Sequence, residues 1–146
     1  MTITLRRSRS PFQIGVLLAL LVISAASAVF FDQVATSTAR ELGSTLGRLM
    51  YGGTALGAGV ALVGVWRSGI TGLLVERVGL ISMACWVTGY GIAVLINSGA
   101  RGVQFGGYMT AVALMCLWRA WQIGREAREL ATVEHLAEQI SNGEDR

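Results

Sequence analysis

The stretch Val78–Trp118 reads VGLISMACWVTGYGIAVLI (78–96), NSGAR (97–101), GVQFGGYMTAVALMCLW (102–118). Two apolar runs with no Asp, Glu, Lys, Arg or His flank five turn-forming residues. A helix needs roughly 17–25 apolar residues to cross a ~30 Å hydrocarbon layer. Each run falls within that range, and the link between them suits a tight turn joining antiparallel helices. The pattern repeats upstream, where Phe12–Phe31 and Leu49–Trp66 are equally free of charge. The expected fold is therefore all-α: an integral membrane four-helix bundle with a C-terminal amphipathic cytoplasmic helix. Its spans cover about 12–31, 49–66, 78–96 and 102–118. Residues 1–118 form the transmembrane domain and 119–146 the cytoplasmic helix and tail.

Composition agrees. Apolar residues make up 53% of the chain and charged residues only 14%, against about 25% charged in a soluble domain. Mean hydropathy is +0.55. All 12 basic residues are arginine, and the formal net charge is +3. The arginines are dispersed, with no basic face bearing interleaved aromatics, which argues against a nucleic-acid partner. Cys85 lies about seven residues into its run and Cys116 about two residues from the end of the next. At ~1.5 Å rise per residue their depths differ by several ångströms, so they read as small packing residues rather than a disulfide.

The first run admits a second reading. Arg6, Arg7 and Arg9 precede the apolar Ile14–Ile23, and Ala26-Ser27-Ala28 forms an A-x-A pattern. That is the plan of a cleavable signal peptide. The apolar run nevertheless continues through Val29, Phe30 and Phe31 to Asp32, full membrane length, and an uncleaved helix is expected.

Arginine placement sets orientation, since the excess lies on the cytoplasmic side. With both termini inside, nine of the 12 arginines fall on the inner side. Only Arg40, Arg48 and Arg101 fall outside. The expected location is a bacterial inner membrane, multi-pass, N-terminus and C-terminus cytoplasmic. Trp66, Trp118 and Trp121 gather at the inner interface, as an aromatic belt requires. Trp86 and Tyr90 are mid-span and should face neighbouring helices.

In lipid, helices associate through close packing of small residues. Three i, i+4 series offer such faces: Gly53, Gly57 and Ala61; Cys85, Gly89 and Ala93; Gly102, Gly106 and Thr110. They serve bundle packing, oligomerisation or both. The stretch Arg67–Arg77 reads as an inner connection with Ile70 and Leu73–Val75 at the interface. Asp32–Arg48 reads as a longer, nearly neutral connection that extends the first span as a helix. In the tail, Ile123, Ala127, Leu130, Val133, Ala137 and Ile140 recur at spacings of three and four. This is an amphipathic helix continuing span 4. Its basic first half (Arg119, Arg125, Arg128) suits anionic lipid headgroups; its second half is acidic. A solvated extension, a short coiled coil and a partner-docking helix all remain open for it.

Chemistry is conspicuously missing. No ionisable residue interrupts a span, so the usual mark of a proton path or substrate site is absent. Glu76 borders Arg77 at a membrane edge and is expected to pair locally. The lone histidine, His135, reads as a solvated surface residue. No paired carboxylates, nucleophile triad, phosphate-binding loop or metal-ligand spacing appears. No catalytic residue and no cofactor is expected, and the chain does not read as an enzyme.

The segment from Thr71-Gly72-Leu73-Leu74-Val75-Glu76-Arg77-Val78-Gly79-Leu80 to Cys116-Leu117-Trp118-Arg119-Ala120-Trp121-Gln122-Ile123-Gly124-Arg125 resembles small membrane proteins of actinobacterial phages. Some of these are described as holins. The resemblance covers roughly residues 65–128, rests on pattern, and transfers no functional residue. It implies an oligomerising membrane protein that permeabilises a bilayer for lysis. The alternative is a structural or accessory subunit that anchors a complex through its C-terminal helix. The partners implied are the lipid bilayer and either further copies of the chain or a membrane-complex partner.

Overall fold

The computed structural model describes residues 11–34, 43–67 and 69–144. Among them there are five α-helices and no strand. They are α1 (Pro11–Val29), α2 (Phe31–Val34), α3 (Ser44–Trp66), α4 (Ile70–Ser98) and α5 (Val103–Glu144), with a 3-10 turn at Gly99–Gly102 between the last two. Arg6, Arg7, Arg9 and Arg40, and the side chain of His135, lie outside what is described.

The boundaries follow local chemistry. Pro11 opens α1, where its missing N–H is no loss and its fixed φ suits the first helical position. Gly69 and Gly99 take φ +86° and +53° at the two ends of α4. That left-handed region excludes most side chains and halts helix propagation. Only Arg67–Gly69 separates α3 from α4. The expected inner connection over Arg67–Arg77 is thus corrected: Ile70–Arg77 form the first two turns of α4. Gly72 allows this, because a Cβ there would overlap the Arg67 carbonyl and lie 3.0 Å from the Gly64 carbonyl. α3 likewise starts at Ser44, inside the segment read as a connection.

α1, α3 and α4 are long and apolar enough to cross a membrane, with mean hydropathy 2.3, 1.5 and 1.8 over their best windows. The apolar half of α5, 103–118, is shorter and carries Gln104. α5 itself continues unbroken for 42 residues.

Backbones come close between consecutive helices: α1 with α3, α3 with α4, and α4 with α5. Small residues bring this about. On α3, Gly53, Gly57, Ala61 and Gly64 share one face. Against them α4 presents Trp86, Met83, Gly79 and Glu76. A Cβ added at Gly57 would lie 2.8 Å from the Met83 nitrogen, and one at Gly79 would lie 2.8 Å from the Gly57 carbonyl oxygen. From Gly102 at the end of the 3-10 turn, the seam continues along α5 through buried Gly106, Ala113, Cys116, Ala120 and Ile123, with half-buried Met109 among them and buried Gly124 beside Ile123. The positions from Gly102 to Ile123 alternate spacings of four and three, the seam of a left-handed helix pair. Gly102 and Gly106 meet Val94 and Leu95 of α4. α1 buries Leu17, Ser24 and Ser27, and Leu21 lies 3.7 Å from where a Cβ on Gly59 of α3 would stand.

The interior forms two clusters. The larger runs from Leu17 through Ala58, Ala61, Leu80 and Met83 to Ala113 and Ile123. The smaller gathers Phe31, Tyr90 and Val94. The outer surface is the reverse of a soluble protein's. Phe12, Leu56, Trp66, Ile96 and Met115 are each more than 70% exposed. Apolar exposure on every long helix far exceeds the isolated patches tolerated in water.

Candidate functional site

Among the described residues, one charged residue is buried. Glu76 lies on the α4 face defined by Gly72, Gly79 and Met83, three or four residues apart, and is 5% exposed. Gly64 makes room for it, since a Cβ there would overlap the Glu76 backbone. Burying an unpaired carboxylate is costly, and the fold surrounds this one from two further helices. From α1, the Gln13 Nε2 amide donates to Glu76 Oε1 at 2.7 Å. From α5, Arg119 Nε approaches the same oxygen at 3.6 Å. That distance is an ion pair but too long for a hydrogen bond, and the buried Arg119 Nε makes none. The far side of the guanidinium donates to Gln122 Oε1 at 3.3 Å and lies 3.7 Å from Glu126 Oε1. One cation thus sits between two carboxylates and ties α1, α4 and α5 at a single level.

This overturns the expectation that Glu76 pairs with Arg77. Adjacent residues on a helix point about 100° apart and do not face each other. Glu76 turns inward. The Arg77 guanidinium instead lies over Gly124 of α5, where a Cβ would stand 3.2 Å from Cζ. It also relocates Arg119, expected among lipid headgroups and found largely turned inward. Arg125 and Arg128 are exposed, and the Arg125 guanidinium lies 5.2 Å from the Trp121 ring centre.

At the opposite end an aromatic chain joins four helices. Phe31, Tyr51, Tyr90 and Phe105 follow one another with ring centres 6.2, 5.5 and 6.0 Å apart. The Tyr51 and Tyr90 hydroxyls are 3.1 Å apart and share a hydrogen bond. Arg48 pairs with Asp32 at 2.8 Å and lies over the Phe31 ring. Trp86 rests on Gly53, so both mid-span aromatics do face neighbouring helices.

The expected packing residues divide. Gly53, Gly57 and Ala61 lie in the α3–α4 seam, and Gly102 and Gly106 in the α4–α5 seam. Thr110 is exposed and its hydroxyl donates to the Gly106 carbonyl at 2.8 Å. Cys85 is exposed, Ala93 is half-buried, and a Cβ on Gly89 would meet nothing. This stripe faces outward because α4, flanked by α3 and α5, buries the face of Gly79, Met83, Val87, Tyr90 and Val94 instead. The signal for that face was Gly72, Glu76 and Gly79 at spacings of four and three, which the reading of Arg67–Arg77 as a connection missed, and for the α5 seam its alternation of fours and threes.

Chemically the Glu76–Arg119 cluster holds charge and fixes helices. Among the described residues, no His, Cys, Asp and Glu gather in a group that could hold a metal. No family model, curated protein or solved structure matches this chain.

Proposed function

We propose that the chain is a four-span, non-enzymatic protein of a bacterial inner membrane with both termini cytoplasmic, acting as a structural or accessory subunit. α1, α3, α4 and the first half of α5 form the anchor, and the distal half of α5 is the docking element. The observation that carries this reading is the occupied interior. The glycine faces are filled by neighbouring helices of the same chain, and a buried ion pair fastens their inner ends. Such a unit is built to hold its shape. α5 then overhangs. With Gly124 beside Arg77, α5 passes the first residue of α4 near position 131, so its last 13 or so residues extend ~20 Å further.

Holin-like lysis is the second reading. The stripe of exposed Cys85 and half-buried Gly89 and Ala93 favours it, as a small-residue face on which a Cβ at Gly89 meets nothing among the described residues, together with the phage-protein resemblance. Inducible expression with a membrane-potential dye, using the full chain and a truncation after Gly124, separates the two. The anchoring reading expects unchanged potential, and partner capture that disappears with the truncation while membrane insertion persists. Collapse of the potential by both forms would overturn it in favour of the lesion.

A further inference from the structure

We propose that the outward stripe Leu114, Trp118, Trp121, Arg125 and Arg128 of α5 is a binding site for one anionic phospholipid. The acyl chain lies along Leu114 and Trp118, and the phosphate at Arg125 and Arg128. This rests on the membrane placement proposed above and gives it a specific lipid partner.

Leu114, Trp118 and Trp121 line a shallow groove on the side of α5 away from its packed seam. Trp118 and Trp121 are 62% and 51% exposed, with ring centres 5.3 Å apart and planes tilted by 37°. Arg125 is held over the Trp121 face, and Arg128, one turn on, is exposed. At 1.5 Å per residue the stripe runs ~21 Å. About 6 Å of that, from Leu114 to Trp118, lies at the end of the apolar run, and the remaining ~15 Å carries the stripe through the interface to the headgroups. Its chemistry passes from aliphatic to aromatic to cationic, the order that a phospholipid presents as chain, glycerol ester and phosphate. Two features select a lipid over another helix. Membrane helices pack through small residues, and this stripe has none between its bulky members. Its charged end also complements an anion: Glu126 is turned to Arg119, leaving exposed Glu129 against two arginines.

The test places the full-length Trp66→Phe/Trp86→Phe protein in liposomes, so that Trp118 and Trp121 are the only tryptophans, and excites tryptophan selectively. Brominated phosphatidylglycerol or brominated phosphatidylcholine is then added at equal mole fraction. The proposal expects stronger quenching by the anionic lipid, with a relative association on the order of fivefold per arginine. The preference should fall towards one in Arg125→Gln/Arg128→Gln and, for the unaltered stripe, in ~1 M salt, where screening acts within ~3 Å. Equal quenching by the two lipids, or a preference that survives both the substitutions and salt, overturns it. So does quenching confined to a Trp66-only variant, which would mean that protein covers the stripe. No quenching of any tryptophan by either lipid would instead overturn the membrane placement.

Discussion

Replacing Arg119 with methionine isolates the role of the buried ion pair. Methionine keeps much of the side chain's apolar length and removes the guanidinium. Glu76 would be left 5% exposed, with the Gln13 amide at 2.7 Å as its remaining partner in the cluster. Removing one member of a buried pair typically costs 3–5 kcal/mol, because the other charge stays desolvated. Two features lower the figure here. Gln13 still donates to the carboxylate, and the Arg119–Glu76 contact at 3.6 Å carries no hydrogen bond. A loss of about 2–3 kcal/mol is expected. Denaturation of the detergent-solubilised protein, followed by tryptophan fluorescence, measures it. Arg125→Met, at an exposed position, is the control and should change stability by about 1 kcal/mol or less, the scale of its exposed contact with the Trp121 ring. The double variant Glu76→Met/Arg119→Met removes both charges and should be more stable than Arg119→Met alone, since apolar replacement of a whole buried pair is often neutral or better. Equal losses for Arg119→Met and Arg125→Met, or strict additivity in the double variant, would refute the clamp.

Gly57→Leu should destabilise the detergent-solubilised fold by about 1–3 kcal/mol through overpacking, because its Cβ would already stand 2.8 Å from the Met83 nitrogen. Gly89→Ala should not lower the monomer's thermal midpoint, since nothing lies within 4 Å of that Cβ and alanine favours the helix over glycine. Tyr51→Phe should cost about 0.5–1.5 kcal/mol by removing the hydroxyl pair with Tyr90, read from the same denaturation curves. A membrane-permeant thiol reagent should modify exposed Cys85 in the folded protein, while buried Cys116 reacts only after denaturation; mass spectrometry of the labelled peptides distinguishes the two.

The sequence made some of this legible and hid the rest for physical reasons. Apolar length alone located helices near 12–31, 49–66 and 78–96, because hydrocarbon thickness imposes it. Hydropathy failed at Arg67–Arg77, where two arginines resemble the ends of a loop. The glycines that decide the matter work by position: Gly69 breaks the chain with positive φ, and Gly72 lets it fold back against Gly64. The Gly53, Gly57, Ala61 face was readable because α3 meets α4 along one stripe. α4 meets neighbours on two sides, so a single i, i+4 series could not reveal its inward face. Glu76 was misplaced for a related reason: proximity in sequence suggested Arg77, whereas helical geometry points the two apart. Arg119 followed it, because an arginine beyond Trp118 looks like a headgroup contact until an acid appears across the bundle.

In the proposed topology α5 completes a fourth span and returns the C-terminus to the side of the N-terminus. Paired reporter fusions test it directly: alkaline phosphatase inserted at Ala100, and green fluorescent protein at either end of the chain. Four spans give an active phosphatase at Ala100 and fluorescence from both terminal fusions. A dark C-terminal fusion beside a fluorescent N-terminal one, with the phosphatase still active, would leave only α1, α3 and α4 across the membrane and contradict it.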